Sequence, residues 1–163
     1  MRDSSAPAKA FRLITSLAIC QVAGFIGSLF TTPSIPFWYA TIKKPLFTPP
    51  NWVFAPVWIS LFVLMGLSLY LVWNAGVRRK DVQMALTVFG IQLVCNILWS
   101  ALFFGLHSPM YAFIEIVLLW IFILLTILRF YPISRTAAYL LVPYICWVSF
   151  AGFLNGSIAL LNR

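Results

Sequence analysis

A chain of 163 residues that is 63% hydrophobic and only 9% charged cannot cover a water-facing surface, since soluble domains carry about 25% charged residues. Eleven Lys and Arg against three acids (Asp3, Asp81 and Glu115) give a net charge of +8. These cations sit between apolar runs, which argues against nucleic-acid binding and for membrane orientation and contact with anionic head groups. The class is therefore a polytopic membrane protein.

Five apolar runs, at about 11–30, 55–73, 82–106, 109–130 and 136–161, each match the roughly 20 residues that span about 30 Å of hydrocarbon as a helix. Strand-type alternation is missing, so the expected fold is an all-α integral membrane bundle of five helices forming one domain. The first run follows Arg2, Lys9 and Arg12, as a signal peptide would. Its apolar stretch is long, however, and no A-x-A site precedes "TTPSIPF", so a retained helix is expected.

The first connection, from Thr31 to about Phe54, is the one long loop and holds most of "KKPLFTPPNWVFAPVW". Prolines at this density do not form a regular helix. Pro45, Pro49 and Pro50 restrict the chain to extended or turn conformations, which lowers the entropy lost in holding it over a site. The loop reads as a lid or as a stiff linker. Asn51 is a candidate N-cap, with regular helix expected from near Ala55, Pro56 early in it and Trp58 in its first turn.

On the third run, Gln92, Asn96, Trp99 and Phe103 share one stripe. Two readings stay open for it: hydrogen bonding between helices, or a cavity wall with Asn96 as its polar handle. On the fourth run, Glu115 is the only acid within a span, a position that is functional by default. Its alternative is a hydrogen bond to a neighbouring helix while protonated. No base, nucleophile or second carboxylate accompanies it. On the fifth run, Pro143, Trp147, Ala151 and Asn155 step along one face, and Pro143 frees the carbonyl of Tyr139. Gly152 and Gly156 form a G-x-x-x-G, read as packing within the chain, with a dimer face as the alternative.

Seven tryptophans are many for this length. Trp38 and Trp73 suit an interface belt. Trp99, Trp120 and Trp147 lie deeper, and aromatic walls with few polar groups describe a site for a flat apolar ligand. Cys20, Cys95 and Cys146 lie in apolar runs and read as reduced packing residues. His107 alone makes no metal site, so no metal is expected.

With five spans, Arg2, Lys9, Arg12, Arg78, Arg79, Lys80, Arg129 and Arg135 share one side of the membrane, opposite Lys43, Lys44 and Arg163. In a bacterial inner membrane that bias places the N-terminus in the cytoplasm and the first loop outside.

Three blocks carry a resemblance to a known family: "WYATIKKPLFTPPNWVFAPVW", "QLVCNILWSALFF" and "AAYLLVPYICWVSFAGFLN". The chain resembles the translocator protein family, also called tryptophan-rich sensory proteins or peripheral benzodiazepine receptors, over nearly its whole length. The resemblance implies a five-helix bundle, often dimeric, whose first loop folds over a pocket as a lid. It implies as ligands porphyrins such as protoporphyrin IX, sterols and isoquinoline- or benzodiazepine-type compounds, with no required cofactor. Matching motif positions imply Trp58, Asn96 and Trp147 in the pocket and Trp38, Pro45, Phe47 and Pro49 in the lid. With the stripes above, the candidate ligand-binding set is Trp58, Asn96, Trp99, Tyr144, Trp147 and Ala151. The candidate lid set is Trp38, Lys43, Lys44, Pro45, Phe47, Pro49 and Pro50, the two lysines being placed to meet ligand carboxylates at the mouth. Phe47 stands where the family commonly has tryptophan, and "SIALLNR" lacks the family's C-terminal sterol pattern.

Three functions follow as expectations. The first is a receptor or sensor for porphyrin-like ligands. The second is a light- and oxygen-dependent porphyrin-degrading enzyme, with Trp58 and Trp147 as candidate catalytic residues. The third is a porphyrin or sterol transporter, against which the lack of an internal repeat argues.

Overall fold

The computed structural model describes residues 5–163; Arg2 and Asp3, named above for their charge, lie outside the described residues. The chain folds as α1 (Ala6–Ser34), α2 (Trp38–Thr41), α3 (Asn51–Asn74), α4 (Lys80–Ser100), a π-helical turn (Ala101–Gly105), α5 (Pro109–Phe130), α6 (Arg135–Leu140) and α7 (Val142–Leu161). There is no strand among the described residues. Five stretches are long and apolar enough to cross a membrane: α1, α3, α4 with its π turn, α5, and α6 with α7. Only 22–39% of the residues in their most apolar windows are buried, so most apolar side chains face outward. Such a surface needs lipid around it.

Proline sets several of the helix boundaries. It falls in the first turn of α1, α5 and α7, where its missing N–H would have no helical partner anyway. Pro143 also separates α6 from α7. The helix breaks at Leu141, whose N–H turns back to the Ala138 carbonyl at 3.1 Å. At α3 the structure departs from expectation. The helix starts at Asn51, after Pro50 in an extended conformation (φ −57°, ψ 144°), and the Asn51 side chain caps nothing. Pro56 is accommodated inside the helix, where it removes one backbone bond near a frayed end. Trp58 therefore lies about two turns into α3 rather than in its first turn.

The third span holds a feature that periodicity did not show. The Leu106 N–H bonds to the Ala101 carbonyl at 2.8 Å, five residues back, which makes the π turn. Phe103 and Phe104 on it are both buried. His107 follows at φ 53°, its ring stacked on Trp38 with centroids 4.7 Å apart.

The helices close into a ring. α1 packs on α3 and α4, α4 on α5, α5 on α7, and α6 on α3. Glycines set the closest approaches. A Cβ on Gly66 would lie 2.9 Å from the Leu17 Cα, and one on Gly24 would lie 2.5 Å from the Phe62 ring. A Cβ on Gly156 would meet Phe113 at 2.8 Å, so the G-x-x-x-G face seats α5 within the chain. One end of the bundle gathers residues 35–50, His107 and the end of α7. There Asn162 and the Lys43 backbone exchange two hydrogen bonds of 2.9 Å. At the other end Arg12 donates to the Asn74 side chain at 3.0 Å.

Gly66→Ala tests the α1–α3 contact. It puts a methyl group against backbone, which cannot rotate away, and should cost about 1–3 kcal/mol as overpacking. Gly90→Ala, with nothing within 4 Å of its new Cβ, should gain up to about 1 kcal/mol of helix propensity. Thermal unfolding in detergent should separate the two variants in opposite directions. Equal melting temperatures would contradict the close approach.

Candidate functional site

A cavity of about 430 Å³ lies between α1, α3, α4 and α7 at the end bearing residues 35–50. Its size falls within the roughly 300–1,000 Å³ of small-molecule sites. Gly24 and Gly27 on α1 let Phe62 and Ser100 pack close to that helix at the cavity's edge. The walls are aromatic. Phe54 and Trp58 come from α3, Trp99 from α4, Phe103 from the π turn and Trp147 from α7, while Tyr39 covers one end.

Of the candidate ligand-binding residues, Trp58, Asn96, Trp99, Trp147 and Ala151 line the cavity. Tyr144 does not. It is fully buried behind the wall, where it links two polar side chains of α4. Asn96 donates through Nδ2 to the Tyr144 hydroxyl at 2.9 Å, and that hydroxyl donates to Gln92 Oε1 at 2.9 Å. The two open readings of the α4 stripe thus coexist. Asn96 bonds between helices through its amide N–H, while its Oδ1 has no hydrogen-bond donor among the described residues. Trp99 Nε1 donates to Asn155 Oδ1 at 3.0 Å, and Asn155 Nδ2 donates to the Pro109 carbonyl at 2.8 Å. That fixes the Trp99 ring, which stacks on Phe103 at 5.4 Å. Trp58 leans over Phe62 and meets the edge of Tyr144. Trp147 sits edge-on to Phe54 at 6.0 Å, and its Nε1–H is buried without a partner among the described residues.

The lid candidates lie elsewhere. None of Trp38, Lys43, Lys44, Pro45, Phe47, Pro49 and Pro50 lines the cavity. Trp38 packs on Phe103 and His107. Phe47 stacks on Phe153 of α7 at 5.2 Å, keeping the ring contact without an indole N–H. Pro45 opens a turn closed by Thr48, whose N–H and hydroxyl both donate to the Pro45 carbonyl. Lys44 donates to the Tyr39 carbonyl and lies over the Tyr39 ring at 4.6 Å, a cation–π contact that anchors the loop. Burial pushes the Tyr39 phenol above its ordinary pKa, so it stays neutral as a wall.

Glu115 is buried away from the cavity, with the Cys95 thiol as its polar neighbour and no oxygen or nitrogen donor to its carboxylate among the described residues. Trp120 faces outward, its indole N–H donating to Ser149 at 2.8 Å. It is therefore no part of the aromatic wall expected for the deeper tryptophans. Tyr39 and Phe54 line the site but were not among the candidates. Phe54 precedes Trp58 by one helical turn, a spacing that would have placed it on the same face. Among the described residues no cluster of three or more His, Cys, Asp or Glu is placed to hold a metal ion.

The sequence profile of the TspO/MBR family matches residues 16–161. The tryptophan-rich protein TspO of Chlorobaculum tepidum is 47% identical over 150 residues, covering 92% of this chain and 95% of that one. The tryptophan-rich protein TspO of Archaeoglobus fulgidus is 44% identical over 151 residues, covering 93% and 97%. The human translocator protein is 36% identical over 151 residues, covering 91% and 86%.

Tyr144→Phe tests the chain behind the wall. It strips Asn96 of an acceptor and Gln92 of a donor in a buried setting, and should cost about 1–3 kcal/mol. A melting temperature equal to that of the parent protein would show that this chain carries no stability.

Proposed function

Because the chain belongs to the TspO/MBR family of multi-pass membrane proteins, we propose that it is a receptor for porphyrins such as protoporphyrin IX and for other flat apolar molecules, sterols included. The observation that carries this reading is the aromatic cavity with one buried, unpartnered donor, Trp147 Nε1, among its lining residues, and with Asn96 beside it. Flat rings offer a macrocycle offset stacking and edge contacts. An unpartnered indole N–H loses free energy until an acceptor arrives, so it favours a ligand bearing one. A carbonyl or ring-nitrogen acceptor, as a tetrapyrrole or an amide carries, would meet that N–H.

In this reading residues 35–50 act as cover through Ile35 and Tyr39, which reach the cavity, while Lys43 to Pro50 hold the cover to α7. The cations Lys9, Arg12, Arg78, Arg79, Lys80, Arg129 and Arg135 then face the cytoplasm, by the bias of positive charge toward that side.

Protoporphyrin IX titrated in the dark should quench tryptophan emission of the wild type. Trp147→Ala should weaken binding by about tenfold or more, and Trp147→Phe, which keeps a ring and loses the N–H, by less. Trp120→Phe, on the outer surface, should bind as the parent does. Unchanged affinity in Trp147→Ala would remove the ligand from this cavity. Illumination of the same sample separates the receptor from a photo-oxidative enzyme, since only the latter bleaches porphyrin beyond the protein-free control.

A further inference from the structure

The closed walls of the cavity are all on one side. None of its lining residues from α4, the π turn, α7 or residues 35–39 is exposed. On α1 and α3 the pattern reverses. Phe25 and Ile59 line the cavity yet are 63% and 58% exposed. Thr32, Asn51 and Ala55 line it and are exposed as well. These five residues flank one gap between two neighbouring helices.

The gap has a floor. Gln21 Nε2 donates across it to the Ile59 carbonyl at 3.3 Å. Beside that bond the Phe62 ring fills the space over Gly24, and further along Gly66 rests on Leu17. The two helices are thus knit at the end bearing Arg12 and Asn74 and part toward the other. From Gln21 to Thr32 the gap runs about 16 Å at the helical rise, near half of the roughly 30 Å hydrocarbon thickness. Two of the hydroxyls along the α1 side of the gap are already engaged. Ser28 donates to the Phe25 carbonyl and Thr31 to the Gly27 carbonyl, so these hydroxyls ask nothing of hydrocarbon beside them. No Lys, Arg, Asp or Glu lines the cavity among the described residues.

From this we infer that the cavity opens sideways into the bilayer between α1 and α3, and that its ligands enter and leave as uncharged, lipid-dissolved molecules through that opening. Occupancy then follows the ligand's concentration in the membrane. A ligand bearing carboxylates keeps them outside the cavity, because no cation among the described lining residues neutralises them within it. The inference rests on the receptor reading for its ligand and on the α1–α3 gap for its route.

The test uses the full chain in vesicles, with protoporphyrin IX dimethyl ester supplied from donor vesicles as the uncharged probe. Ala55→Phe narrows the gap and should slow association and release alike, each by about tenfold, whereas mere damage to the site would speed release. Thr32→Phe does the same from α1 and serves if Ala55→Phe fails to fold. Parental rates in the folded variants overturn the route. A second readout needs no porphyrin. The Trp58 emission, taken as wild type minus Trp58→Phe, should be quenched by lipids with brominated acyl chains and protected by Ala55→Phe. Unquenched Trp58 emission overturns the opening. Failure of the wild type to bind the ester counts against the porphyrin reading alone, and the bromine quenching still decides the opening.

Discussion

In a hydrocarbon solvent every polar group must find its partner within the protein, and that constraint organises this bundle. Its interior polar side chains are few, and most are engaged between helices. Asn96, Tyr144 and Gln92 tie α4 to α7. Trp99, Asn155 and the Pro109 carbonyl tie α4, α7 and α5. Ser68 donates to the Ala137 carbonyl at 2.7 Å and joins α3 to α6. Lipid is as apolar as these side chains, so no hydrophobic drive holds the helices together, and their arrangement rests on close packing and on bonds between helices. These directional bonds therefore select the register, and the cavity's closed walls are the helices they connect.

The same constraint makes the unpaired atoms informative. Trp147 Nε1 and both oxygens of Glu115 are buried without an oxygen or nitrogen partner among the described residues. Their settings differ. Trp147 lines the cavity, where a ligand can supply an acceptor. Glu115 lies off the cavity beside Cys95, where a protonated carboxyl costs far less than a charged one. Of the two, only the indole faces the cavity; the acid is buried on α5 away from it.

Much of this was legible in the sequence because hydropathy and helical spacing report directly on spans and faces. The stripe holding Asn96 and Trp99 and the face holding Trp147 and Ala151 both line the cavity. What spacing does not encode is depth. Tyr144 lies three residues before Trp147 and so near the same face, yet its hydroxyl is drawn in between Asn96 and Gln92 of α4, behind the wall. The start of α3 was misplaced because the cost of Pro56 inside a helix was set above the gain from Pro50 as a preformed boundary. The π turn leaves the local composition unchanged, and its carbonyl shift shows only in the backbone bonds. The lid motif pointed to a loop with a job, but its contacts with Phe153 and Asn162 are tertiary and have no local signature.

The gap beside the cavity follows from how α1 meets α3. Glycine permits backbone contact where Gly66 meets Leu17, and the bulk of Phe62 against Gly24 ends that contact. Past it, Phe54 and Trp58 turn their rings into the cavity instead of toward α1. Toward that end α3 spends its large side chains on the cavity and has none left to close on α1. A larger aromatic wall and a tighter α1–α3 seam are therefore competing demands on the same two helices. A site closed on all sides would require small residues along the whole of α3, and would lose the rings that make it a site.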